Sequence, residues 1–211
     1  MPDSTPSSLR ILHCPTDVGG NPTGLSRAER SYGATSDVAV FRRSPFHYDV
    51  DIDLDLGGRS KAGRLAGRLA FLAKAARRYD VFHFNFGQGM LPAPGGWGVD
   101  LPLLRALGKR VFMTFQGCDA RQTSYCRAHF AVSCCGGAEA GAGQCTAAMD
   151  AGKRASIRYA ARHCHGLFCV NPDLLHVVPG ASFVPYASVD PRAIEVMPPR
   201  AEGPVRIVHA P

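Results

Sequence analysis

Four stretches of this 211-residue chain combine residue types that could bind a ligand or do chemistry. The first is HCPTDVGGNPTG, residues 13–24. An apolar run, a loop carrying Gly19, Gly20 and Gly24, and a helix start place backbone N–H groups where an anion or sugar hydroxyls could be held. Asn21 adds an amide to the same loop. The motif is neither GxGxxG nor a P-loop, because GK[ST] is absent; bare turn chemistry is the other explanation of the glycines. The second is FHFNFGQ, residues 82–88. His83 and Asn85 share a strand face, since side chains i and i+2 agree, and Gln88 follows the strand end. A hydrogen-bonded core histidine is the other reading of His83. The third is TFQGCDARQ, residues 114–122, where Gln116, Asp119 and Arg121 follow a strand end. That position suits a ligand role, and a solvated loop is its alternative. The fourth holds Cys126, Cys134, Cys135 and Cys145, with His129, His163, Cys164 and His165 near them in sequence. Four such ligands suffice for structural zinc, but no CxxC knuckle occurs, and free buried or incidental thiols are the favoured reading of the cysteines. Nothing pairs a nucleophilic Cys with a His.

The elements that must position these groups follow from periodicity. Apolar runs bounded by turn residues predict buried strands at residues 9–15, 37–42, 80–86, 110–115, 166–170 and 182–186. Residues 49–56, DVDIDLDL, alternate strictly, which predicts a strand with one wet face at a sheet edge. Residues 61–79 form the strongest helix, with Leu65, Leu69, Leu72 and Ala76 at helical spacing and a basic outer face. Shorter helices are expected at 25–32, 101–107, 151–162 and 172–178, the last opened by a proline. The segment 117–143 reads as an irregular Cys- and Gly-rich stretch. Strand and helix alternate, which predicts a Rossmann-like parallel sheet with helices on both faces. Ligands then sit at the carboxyl ends of the strands, near a switch in strand order.

Composition sets the outer limits. Hydrophobic residues make up 45% and charged residues 19%, so a disordered or fibrous chain is excluded. No 18-residue apolar stretch occurs, and MPDSTPSSLR lacks the apolar core of a secretory signal, so a cytoplasmic location is expected. The excess of 24 Lys+Arg over 17 Asp+Glu, a net charge of +7, permits an anionic partner. The basic helix would suit the inner face of a membrane, or simply be a solvated surface. No zinc finger, RNP run or basic zipper is present, so no nucleic-acid partner is expected. Residues 1–8 read as a tail, 9–190 as one domain and 191–204 as a Pro-rich linker. Residues 205–211 read as the first strand of a second, truncated domain, or as a strand returning to the first sheet.

Taken in order, ILHCPTDVGGNPTGLSRAER, DVFHFNFGQ, TFQGCDARQ, NPDLLHVVP, FVPYASVD and VRIVHAP resemble the N-terminal half of a bacterial GT-B glycosyltransferase of the family 4, or group 1, retaining type. The resemblance covers residues 9–211. It implies two Rossmann-like domains facing a cleft, this one on the acceptor side, with the nucleotide-sugar donor held by a C-terminal half. The acceptor would be a glycan, a lipid-linked molecule or a small molecule. Gly19, Gly20, Asn21 and Gly24 would lie near the donor phosphates or the acceptor, with Asn85, Gln88 and Arg121 as further substrate contacts. Family members often carry a His where this chain has Gln116, and Asp119 matches the acidic residue of that motif. Gln116, Asp119 and His83 are the candidate catalytic groups. The groups that stabilise the leaving diphosphate belong to the other half, so this half alone is expected to transfer no sugar. A non-catalytic binding module and a zinc-stabilised interaction domain are the alternatives.

Overall fold

A computed structural model describes residues 9–91, 98–133, 135, 145–195 and 203. Seven strands form one sheet: β1 (Arg10–Cys14), β2 (Thr35–Val40), β3 (Ile52–Asp53), β4 (Val81–Asn85), β5 (Arg110–Phe115), β6 (Gly166–Cys169) and β7 (Ser182–Phe183). Their order is β3-β2-β1-β4-β5-β6-β7, and every pairing is parallel. The helices are α1 (Asn21–Ser31), α2 (Lys61–Arg78), α3 (Asp100–Ala106), α4 (Thr123–His129) and α5 (Ala147–His163). This is the Rossmann-like α/β architecture expected from the alternation of elements. The strand order reverses between β1 and β4, and doubly wound sheets place their ligand crevice beyond the carboxyl ends at such a switch point.

One face of the sheet carries the main core. Leu12 of β1, Phe82 and Phe84 of β4, and Val111, Met113 and Phe115 of β5 pack beneath Leu72 of α2, Leu101 and Leu104 of α3, and Ile157 and Ala160 of α5. The opposite face is covered unevenly. There α1 lies over β1 and β2, and a cavity of about 380 Å3 opens beside it, lined by Leu25 and Glu29 of α1 with Ile11, His83, Phe112 and Phe168 of the sheet.

Several element bounds differ from expectation, each for a visible reason. The acidic run at 49–56 is an edge, but regular strand is confined to Ile52–Asp53, with single backbone bonds from Asp51, Leu54 and Leu56 to Val38, Val40 and Phe41. Its carboxylates bond elsewhere: Asp51 accepts from the backbone N–H of Val38 and pairs with Arg30, and Asp53 pairs with Arg43. Helix α1 starts four residues before the expected Leu25, because Pro22 suits the first turn. Helix α4 was not expected at all; its two leading N–H groups, on Thr123 and Ser124, are capped by Asp150 from a distant segment. Strand β7 ends at Phe183, ahead of Pro185, which has no N–H for a ladder. The expected linker is a single 3-10 turn at Pro191–Ala193 as far as it is described, and the expected strand at 205–211 lies outside the described residues.

Candidate functional site

Three chain segments meet at the switch point. The first follows β1. Gly19 and Gly20 both take φ +65, a left-handed conformation that favours glycine, and this turns the chain into α1. Asp17 then caps α1: its carboxylate accepts from the N–H of Thr23 at 3.2 Å and from the Thr23 hydroxyl at 2.8 Å. Asp17 is buried, and that burial raises its pKa, while the Thr23 hydrogen bonds and His13 pull it back. A fixed carboxylate therefore occupies the place at the helix N-terminus that a phosphate would take.

The second segment is a strap, residues 184–188, that crosses back over the glycine loop. The N–H of Ala187 donates to Asn21 Oδ1 at 2.9 Å, and the Ser188 hydroxyl donates to the Gly19 carbonyl. The Tyr186 ring lies against Gly19, and Tyr48 against Gly20. Gly24 meets the backbone of Ala187 itself. Three of the predicted contacts, Gly19, Asn21 and Gly24, thus hold the strap in place, while Gly20 packs against Tyr48.

The third segment leaves β5 at Gln116. Its backbone is fully engaged. The N–H donates to both Asp119 carboxylate oxygens at 3.1 Å, and the carbonyl accepts from Asn171 Nδ2 at 2.6 Å and from the Tyr186 hydroxyl at 3.1 Å. Its side chain is not engaged: Gln116 is 3% exposed, and neither Oε1 nor Nε2 has a hydrogen-bond partner. Asn85, the last residue of β4, shows a milder version, with Nδ2 bonded to the His83 carbonyl at 3.1 Å and Oδ1 unpartnered. The Thr16 hydroxyl after β1 is likewise buried and unpartnered. Buried polar groups seldom stay unpaired, and each costs about 1–3 kcal/mol until something bonds to it.

Asp119 serves the turn. Besides the Gln116 N–H it accepts from Gly117 at 2.7 Å, and Gly87 packs against it from the β4 side. Burial raises its pKa against the lowering effect of those backbone N–H groups. Arg121 pairs with Asp173 at 2.7 Å, and Gln88 is exposed on the turn after β4.

His83 departs from its expected place. It is mid-strand, one pleat repeat or about 6.6 Å short of the strand end, and it faces the cavity beside α1. Its Nε2 meets the Thr114 hydroxyl at 2.6 Å, and its ring lies 5.0 Å from that of His13. Burial, and secondarily the nearby His13, push its pKa well below the usual histidine value. His13 is fully buried and bonds Glu29 at 2.8 Å. The two histidines, His13 fully buried and His83 half-buried at the cavity, thus form a polar pair beneath α1.

Of the expected metal ligands, Cys134 lies outside the described residues, Cys126 and Cys135 are buried, and Cys145 is half-buried. Among the described residues, no three His, Cys, Asp or Glu side chains cluster as a metal site. The residues that the sequence reading did not single out are Thr16, Asp17, Asn171 and Tyr186. Asp17 had a local signal, an acid before a helix start. Tyr186 and Asn171 come from distant segments, and no spacing rule joins them to Gln116. No protein-family model matches the chain, and no curated protein matches it.

Proposed function

We propose that this chain is the acceptor-side half of a GT-B-type glycosyltransferase and that its crevice holds a hydroxyl-rich acceptor. The observation that carries this reading is the unpartnered carboxamide of Gln116, held rigidly at the carboxyl end of β5. A primary amide offers one acceptor and two donors. The ligand that satisfies it must both donate and accept, which a sugar hydroxyl does with a single group. Asn85 Oδ1 and Thr16 Oγ1 extend the same demand. Asp17 at the head of α1 favours a neutral ligand over the donor diphosphate on this side of the cleft. Gln116 and Asn85 orient the acceptor, and Asp119 positions Gln116 by fixing its turn. Activation of the leaving diphosphate falls to a donor-binding half.

The test is side-chain amide NMR of the chain titrated with a panel of mono- and disaccharides, sugar phosphates and nucleotide-sugars. The expected result is a shift of the Gln116 and Asn85 amide signals with a neutral saccharide, lost in Gln116→Ala, and no sugar transfer by this chain alone. Preferential binding of a nucleotide-sugar at these amides, or turnover well above buffer, overturns the reading.

A further inference from the structure

Beside α1, the sheet face over β4, β5 and β6 is left open as a cavity of about 380 Å3. Small-molecule sites occupy about 300–1,000 Å3. Side chains at every second position share a face, so Val81 and His83, Phe112 and Thr114, and Phe168 and Val170 form the cavity floor. Leu25 of α1 stands on the β1 side, and Val184, after β7, stands on the other. The rings of His83, Phe112 and Phe168 are in mutual contact: His83 lies 6.3 Å from Phe112 and 5.7 Å from Phe168, and the two Phe rings are 6.0 Å apart. Parallel sheets are covered on both faces, so a floor of rings calls for an occupant.

The charges of this cavity sit on opposite sides. Glu29 is on the α1 side, and its carboxylate is engaged: it accepts from the Ser36 hydroxyl at 2.6 Å and meets His13 Nε2 at 2.8 Å. Arg110 opens β5, two strands or about 10 Å from β1. It is exposed and, among the described residues, makes no ion pair. The neighbouring Asp80, whose backbone carbonyl accepts from the Arg110 N–H, gives its carboxylate to Arg10. His83 adds no charge near neutral pH, because burial pushes its pKa well below the usual histidine value, and its Nε2 is taken by Thr114. Among the described lining residues Arg110 is the one cation.

We propose that this cavity binds a small aryl carboxylate, with its ring on the Phe112–Phe168 floor and its carboxylate on the Arg110 guanidinium. An aromatic ligand gains edge and offset contacts from a cluster of rings beyond the area it buries. The planar guanidinium matches a carboxylate with two parallel hydrogen bonds. Arg110 and Phe112 share a face one pleat repeat, or about 6.6 Å, apart, so a ring joined to its carboxylate by a short chain spans both. Glu29 sets the orientation, since it repels an anion placed on the α1 side. A neutral apolar ligand would leave the guanidinium unused, and a small anion would leave the rings uncovered. Asn21 lines the cavity and also holds the strap through the Ala187 N–H, so an occupant leans on the residue that anchors the strap. The inference rests on this cavity alone and stands apart from the sugar-binding reading.

NMR titration of the chain with hydrocinnamate, hydrocinnamyl alcohol and acetate tests it. The expected result is saturable binding of hydrocinnamate, with the alcohol and acetate each weaker by about tenfold or more, because each lacks one of the two contacts. Arg110→Gln should weaken hydrocinnamate by about tenfold and leave the alcohol unchanged. Val184→Phe, which narrows the cavity, should abolish binding of both, with circular dichroism unchanged. Arg192→Gln, outside the cavity, should change neither. No binding of hydrocinnamate, equal binding of the alcohol or of acetate, or an Arg110→Gln chain that binds hydrocinnamate as tightly as the parent, overturns the inference. So does a dimer in light scattering that Val184→Phe dissolves, which would assign the cavity to a second copy of the chain.

Discussion

Gly24 stands in direct apposition to the backbone of Ala187: a Cβ added at Gly24 would fall 1.7 Å from the Ala187 carbonyl oxygen. Because the atom it meets is backbone, the clash cannot be relieved by a rotamer change. Gly24→Ala should therefore displace the strap and destabilise the fold by about 1–3 kcal/mol, read as a lower urea midpoint. Gly152, inside α5 with open space around it, is the matched control. There the same substitution should stabilise by about 0.5–1 kcal/mol.

Gln116→Met keeps the side-chain length and removes two buried unpartnered atoms. The ligand-free protein should gain about 1 kcal/mol, measured in urea, and saccharide binding should disappear. A gain in stability accompanied by a loss of binding marks a group kept for function. A loss of stability would instead show that the carboxamide has a structural partner.

The His83 ring gives stability a pH dependence. Its folded-state pKa lies well below 6.5, so beneath that pH the unfolded chain takes up a proton that the folded chain refuses. Its contribution is fully present above pH 6.5 and is lost as pH falls toward the depressed folded value. The urea midpoint should drop as pH falls below 6.5. His83→Gln, which does not titrate, should drop less over the same window.

Asp17 decides what charge the head of α1 accepts. Asp17→Ser keeps a capping oxygen and removes the carboxylate. The variant should bind inorganic phosphate more tightly than the parent chain by isothermal titration, since the N–H groups of α1 then face no built-in anion. Equal, negligible binding by both would show that the strap, not the charge, closes this terminus.

Much of this architecture was legible in the residues. The central strands, the long basic helix and the parallel sheet follow from apolar runs and alternation, signals that each segment carries within itself. The positions of Gln116 and Asn85 at strand ends were legible for the same reason. The exceptions depend on distant partners. Helix α4 has its cap 27 residues away on Asp150, so its own sequence reads as loop. The acidic edge run is a good local strand pattern, yet its carboxylates find Val38, Arg30 and Arg43, and regular pairing with β2 shrinks to Ile52–Asp53 with single backbone bonds from Asp51, Leu54 and Leu56. The glycines read as a ligand cradle because nothing near them in sequence announces residues 184–188, which fill the space they leave. His83 and Asn85 share a face as expected, but two residues along the strand separate the histidine pair beneath α1 from the strand end.

The hydrogen bond between Asn21 and Ala187 joins residues 166 positions apart. Until residue 187 has left the ribosome, the glycine loop has nothing to close against, and Tyr186 cannot reach Gln116. The β1–β5 layer can collapse earlier from its own neighbouring segments, while the crevice is the last part of the domain to acquire its shape. A nascent chain halted short of the strap would carry the sheet without the pocket. Proteolytic loss of those few residues in the finished protein should silence ligand binding while leaving most of the core standing.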